Sequence, residues 1–93
     1  MLCSVICQDI KIVTNRWGYE NSWTYGSCSG PPSGVYSNFQ TYNEQCCQVP
    51  GTHVLTCKDS YGDGWHTGYI EIGGTKYCAD FSFGRTQTHT IID

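Results

Sequence analysis

The sequence predicts an all-β fold: a disulfide-stapled, antiparallel β-sandwich, jelly-roll-like, of seven or eight short strands. Three observations predict it. Apolar residues recur with a period of two rather than 3.6, as in half-buried strands. Glycine, proline and polar clusters interrupt those runs at the spacing of sandwich turns. Seven cysteines in 93 residues, with few charges, match a secreted disulfide scaffold rather than a cytosolic enzyme.

The first strand, 9–14, sets Ile10, Ile12 and Thr14 on one face and Lys11 and Val13 on the other. Trp17-Gly18 breaks it. A second strand, 21–27, holds Trp23 between polar Ser22 and Thr24, which assigns that indole to the core. Residues Ser29 to Gly34, with Pro31 and Pro32, form an ordered connector, because neither flank alone is large enough to fold. Strands at 34–38 and 46–49 follow, and Pro50-Gly51 makes the next turn. Over 52–58, Val54 and Thr56 alternate with Leu55 and Cys57. After the turn at Tyr61 to Gly64, Ile70 and Ile72 alternate with Tyr69 and Glu71 in strand 67–73. Gly73-Gly74 tolerates the positive φ of a primed turn and pairs that strand with 75–82. Gly84 separates the last strand, 86–92. No helix longer than a turn and no internal repeat is expected.

The chain is long enough for one domain and too short for two. Residues 1–93 are therefore read as a single sandwich, alone or as one module of a longer secreted chain. Cys57 and Cys78 flank an acidic, glycine-rich loop and are placed to staple its ends; closing that loop contributes roughly 3 kcal/mol in the chain-entropy model. Adjacent Cys46 and Cys47 would close a strained ring with each other. They should instead face opposite sides of the chain and take Cys7 and Cys28 as partners, in an order the spacing leaves open. Cys3 is the odd cysteine, free or intermolecular. The net charge of −3 and the lack of a basic cluster argue against nucleic acid. No apolar run approaches the 18 residues of a membrane span, which argues against membrane insertion. Cysteine usage alone points to an extracellular location.

Residues 57–78, CKDSYGDGWHTGYIEIGGTKYC, carry the densest information. With the Trp-bearing segment IKIVTNRWGYENSWTYGSC and the cysteine doublet, they resemble a small β-sandwich domain that recurs, often in tandem, in secreted and cell-surface proteins with a D-S-Y-G-D-G-W signature. More distantly, the chain resembles jelly-roll domains appended to secreted proteases and bacterial adhesins, where a similar acidic turn sits near calcium. The resemblance covers residues 7 to 92. It implies the fold and leaves activity open, since such domains serve adhesion, folding or carbohydrate binding.

A Ca²⁺ ion wants six to eight oxygens. Asp59, Asp63, the carbonyls of Gly62 and Gly64, and a nearby acid (Glu71, Glu20 or Asp80) are the candidate donors. The loop is not an EF-hand, since Tyr61 and Ile70 occupy ligand positions and no helices flank it. The competing reading needs no metal: Asp59 and Asp63 bond turn amides while the glycines take left-handed conformations. Trp65 either plugs the end of the sandwich, the favoured reading for so large a ring, or forms a stacking platform. Trp17, Tyr19, Tyr61 and His66 are the other candidates for a ligand-binding surface.

Catalysis finds no support. There is no HExxH, no G-x-S-x-G, and no Ser/His/Asp set, and oxidised cysteines are not nucleophiles. Asp59 and Asp63 suggest a glycosidase pair, but a sandwich this small leaves little depth for a cleft. The expectation is an extracellular, non-catalytic binding or adhesion module in which calcium assists recognition of a glycan or an extracellular protein. One alternative is a structural building block that joins further copies of itself into an array or filament through Cys3 and the terminal strand. Another is a secreted defence peptide, against which the acidic balance argues.

Overall fold

The computed structural model describes residues 4–32 and 35–92. Its strands are β1 (Ile6–Val13), β2 (Asn21–Tyr25), β3 (Cys28–Gly30), β4 (Thr41–Gln48), β5 (Thr52–Asp59), β6 (Tyr69–Ile72), β7 (Thr75–Tyr77) and β8 (Thr86–Ile92). Among the described residues the only helical element is a 3-10 turn at Gly18–Glu20. The strands form two four-stranded antiparallel sheets, ordered β4-β1-β6-β7 and β3-β2-β5-β8. Outside the β2–β3 and β6–β7 hairpins, every connection crosses from one sheet to the other.

The core is built by alternation. Ile10 and Ile12 of β1 and Ile70 and Ile72 of β6 point inward from one sheet; Trp23 and Tyr25 of β2 and Leu55 and Cys57 of β5 meet them from the other. Burial of these side chains, at roughly 25 cal/mol per Å² of apolar surface, is what holds the sheets face to face. One polar chain runs through the interior: the Trp23 indole N–H donates to the Tyr36 hydroxyl at 2.8 Å, which donates to a Glu44 carboxylate oxygen at 2.8 Å.

Three disulfides tie the layers. Cys7–Cys47 joins directly opposed residues of neighbouring strands β1 and β4 on the solvent side. Cys28–Cys46 links β3 and β4 of opposite sheets, and Cys57–Cys78 ties β5 to the residue that follows β7 of the other sheet. The adjacent pair thus does face opposite sides, Cys46 buried and Cys47 exposed, and the open order is settled. Cys3 lies outside the described residues.

Several boundaries differ from the sequence expectation, among them β1, which starts at Ile6 rather than at 9, and β6, which is trimmed to Tyr69–Ile72. A Gly26-Ser27 turn ends β2 early and pairs Tyr25 with Cys28, so β3 occupies part of the expected connector. Val35 to Asn38 join no strand; this segment is a loop that tucks Tyr36 into the core. β4 begins at Thr41, not at 46, because its inward positions are Tyr42, Glu44, Cys46 and Gln48, whose polar members hide the alternation. β7 stops at Tyr77 because Cys78 adopts φ 66°, and Phe81 then folds back into the core.

Candidate functional site

β5 brings Asp59 to the inward-facing position after Leu55 and Cys57, at the end of the sandwich. Its carboxylate organises the turn that follows. Oδ1 accepts the Tyr61 amide at 3.2 Å, and Oδ2 accepts the amides of Gly62 at 3.0 Å, Asp63 at 2.6 Å and Gly64 at 2.6 Å. Gly62 (φ 99°) and Gly64 (φ 83°) supply the left-handed backbone that turns these N–H groups inward. Burial alone would push the Asp59 carboxyl up. Hydrogen bonding with the Asp63 side chain and with the amides outweighs it and holds the group below the usual carboxylate range. The Asp59 carboxylate is thus engaged with the amides of its own turn.

Three expected site positions lie elsewhere or are committed. Trp65 is fully buried, its indole N–H donating to the Lys58 carbonyl at 2.8 Å, so it plugs the sandwich and presents no binding surface. The Gly62 carbonyl accepts the Gly84 amide at 2.9 Å instead of standing free for a cation. Glu71 sits on β6 between Lys11 and Lys76 in the ladder and lines a polar depression with Asp9, Lys11 and Glu44, not the acidic turn.

Glu20 takes that place. The short turn Gly18–Glu20 follows Trp17, whose backbone is left-handed at φ 59° and ψ 37°. Its end is tied to the acidic turn by the Ser60 amide, which donates to the Glu20 carbonyl at 3.1 Å. Potential ligand atoms of Glu20, Asp63 and His66 all lie within 4.8 Å of one another. His66 Nε2 stands 3.1 Å from Asp63 Oδ2, an ion pair when the imidazole is protonated. Burial, followed by the negative charge of Asp59 and Asp63, raises the Glu20 carboxyl above its ordinary value, with His66 pulling the other way.

Three exposed aromatics gather at this cluster. Trp17 is 38% exposed, Tyr19 53% and Tyr61 73%. With Glu20 and Asp63 they line one open depression of about 500 Å³. The Trp17 and His66 rings are 4.6 Å apart, centroid to centroid, at 53°. The structure therefore joins Trp17, Tyr19, Tyr61, Asp63 and His66 and selects Glu20 from the three candidate acids. His66 was expected on the ligand-binding surface and not beside Asp63; its offset of three from Asp63, across a glycine-bearing turn, is the signal that pairs the two side chains.

No protein-family model matches the chain, and neither does any curated protein or solved structure. The chemistry of the depression has to be read from its own residues.

Proposed function

We propose that this protein is an extracellular, non-catalytic recognition module that binds a glycan in the depression formed by Trp17, Tyr19 and Tyr61. The supporting observation is the meeting of three exposed aromatic rings with two carboxylates at one end of the sandwich. Aromatic faces suit the apolar C–H face of a sugar ring, and carboxylate oxygens accept from its hydroxyls. A rigid aromatic side chain also loses little conformational freedom on binding. Three disulfides fit an oxidising compartment, and among the described residues no helix is long and apolar enough to cross a membrane.

The test is titration of the protein with a panel of soluble neutral and acidic oligosaccharides, followed by indole fluorescence and calorimetry. Saturable binding lost in Trp17→Ala and Tyr61→Ala supports the assignment. Binding that survives both substitutions, or a panel that gives none, removes it.

A second reading, a structural building block, is favoured by β8. This seven-residue strand lies at the edge of its sheet and contains no proline, so its outer backbone groups offer a template for another chain. Sedimentation over a concentration series separates the two readings, because a recognition module stays monomeric without its ligand.

A further inference from the structure

Where the acidic turn is tied to the Gly18–Glu20 turn, three potential ligand atoms lack a hydrogen-bond partner. Glu20 Oε1, Asp63 Oδ1 and His66 Nε2 are each shut off from solvent, and none makes a hydrogen bond. The 3.1 Å approach of His66 Nε2 to Asp63 Oδ2 lacks hydrogen-bond alignment. Beside them, Asn21 is 2% exposed, lies opposite Asp59 in the β2–β5 ladder, and has both side-chain polar atoms unpartnered. Buried polar atoms are nearly always satisfied in folded proteins, so a group of them at one point indicates something that satisfies them together.

The surrounding structure fixes these donors. Left-handed backbone at His66 (φ 53°) and Thr67 (φ 70°) is held by Asn15, whose side-chain amide donates to the His66 carbonyl at 2.8 Å and to the Thr67 hydroxyl at 2.8 Å. Among the described residues, the ion pair of the cluster is His66 with Asp63. The negative charge of Glu20, Asp59 and Asp63 thus gathers around a single imidazole.

The donor types choose among cations. Calcium is bound by oxygen, six to eight atoms of it, and here the Asp59 carboxylate and the Gly62 carbonyl are already engaged with amides. Imidazole nitrogen with two carboxylates suits zinc and its neighbours. On a tetrahedral zinc ion with bonds of about 2.0–2.1 Å, ligand atoms stand roughly 3.4 Å apart. The 4.8 Å grouping is wider than that spacing, so binding requires the side chains to turn inward on the ion.

We propose that Glu20, Asp63 and His66 bind a divalent transition cation of the zinc class, in preference to calcium. Glu20 and Asp63 also line the aromatic depression, so the ion would lie at its wall. Metal binding stands independently of the glycan assignment, because it is measured with no sugar present.

The experiment uses the intact, disulfide-bonded protein, with Co²⁺ as spectroscopic probe and Zn²⁺, Ca²⁺ and Mg²⁺ in calorimetry. One equivalent of Co²⁺ should produce visible d–d absorption that Zn²⁺ displaces, and Zn²⁺ should bind at least tenfold more tightly than Ca²⁺. His66→Asn, which tolerates the left-handed backbone, and Asp63→Asn should each weaken Zn²⁺ at least tenfold. His53→Asn and His89→Asn should leave it unchanged. Circular dichroism checks that each variant is folded, and either cluster variant is sufficient. The proposal is overturned if no Co²⁺ or Zn²⁺ binds, if binding survives both cluster substitutions, or if Ca²⁺ binds more tightly than Zn²⁺.

Discussion

Asp59 Oδ2 accepts the Gly64 amide at 2.6 Å across five residues of chain, the widest of four backbone hydrogen bonds that the carboxylate makes with its own turn. The turn is therefore folded around a charge. Asp59→Asn replaces an acceptor-only group with one that presents an N–H₂ to inward-pointing amides, leaving some unsatisfied. Hydrogen bonds to a charged acceptor contribute about 1.5–3 kcal/mol each, and they are not additive. The expected loss is about 2–4 kcal/mol of unfolding free energy, read from urea denaturation under oxidising conditions.

Two carboxyls at this site respond to pH with opposite signs. Asp59 is more acidic folded than unfolded, so its contribution is present above the unfolded pKa and is lost as pH falls through the lower folded value. Glu20 is less acidic folded than unfolded, so its ionisation weakens the fold at neutral pH. That penalty disappears as pH falls through the raised folded value. Unfolding free energy should therefore rise modestly on mild acidification and then decline below the ordinary carboxylate range. Glu20→Gln should abolish the rise, and Asp59→Asn should flatten the decline. A pH series of denaturant titrations measures both.

Gly62 and Gly64 are alike in φ but not in surroundings. A methyl group at Gly64 runs into the Phe81 carbonyl and the backbone of Ser82, whereas one at Gly62 meets only the Arg85 side chain at 3.6 Å. Gly62→Ala should cost about 1–2 kcal/mol, the strain of a left-handed alanine. Gly64→Ala adds a backbone collision and should lower the melting temperature by at least twice as much. Equal shifts for the two variants would contradict the packing of Gly64 against Phe81.

Local chemistry made much of this legible in the sequence. The alternation of Ile10, Ile12, Ile70 and Ile72 gives the core faces, and Gly73-Gly74 gives the β6–β7 hairpin. Asp59 and its glycines were readable as an amide-binding turn, with calcium as the rival reading. The β2–β3 hairpin was readable at Gly26-Ser27 but competed with the more conspicuous prolines that follow. β4 was obscured because inward-facing Glu44 and Gln48 accept from partners elsewhere in the chain, Tyr36 and Ser27. Glu20 was one of three acids equally eligible to join Asp63. Only the crossing that sets β2 beside β5 selects it over Glu71 and Asp80.

Tyr36 connects the connector loop to the core, accepting from Trp23 and donating to Glu44. Burial holds its phenol well above the usual tyrosine range, so it stays protonated and keeps donating. Tyr36→Phe preserves the ring and removes both bonds, stranding the buried indole N–H. A cost of about 1–3 kcal/mol is expected from one unsatisfied buried donor. Trp23→Phe in the same background should recover part of it, because the stranded group is then absent. A double-mutant cycle on unfolding free energy measures the coupling.

The three disulfides differ in access rather than in topology alone. Both residues of Cys7–Cys47 are exposed, while Cys57, Cys78 and Cys46 are buried. Thiolate attack requires contact with a sulfur, so the native protein should lose Cys7–Cys47 first under limiting reductant. Because β1 and β4 remain paired over eight residues, from Ile6 opposite Gln48 to Val13 opposite Thr41, that species should stay folded. Alkylation and peptide mapping during a timed reduction should recover label at Cys7 and Cys47 with native circular dichroism. Label should reach Cys28, Cys46, Cys57 and Cys78 only as that signal collapses, since opening either cross-sheet bridge requires the core to separate.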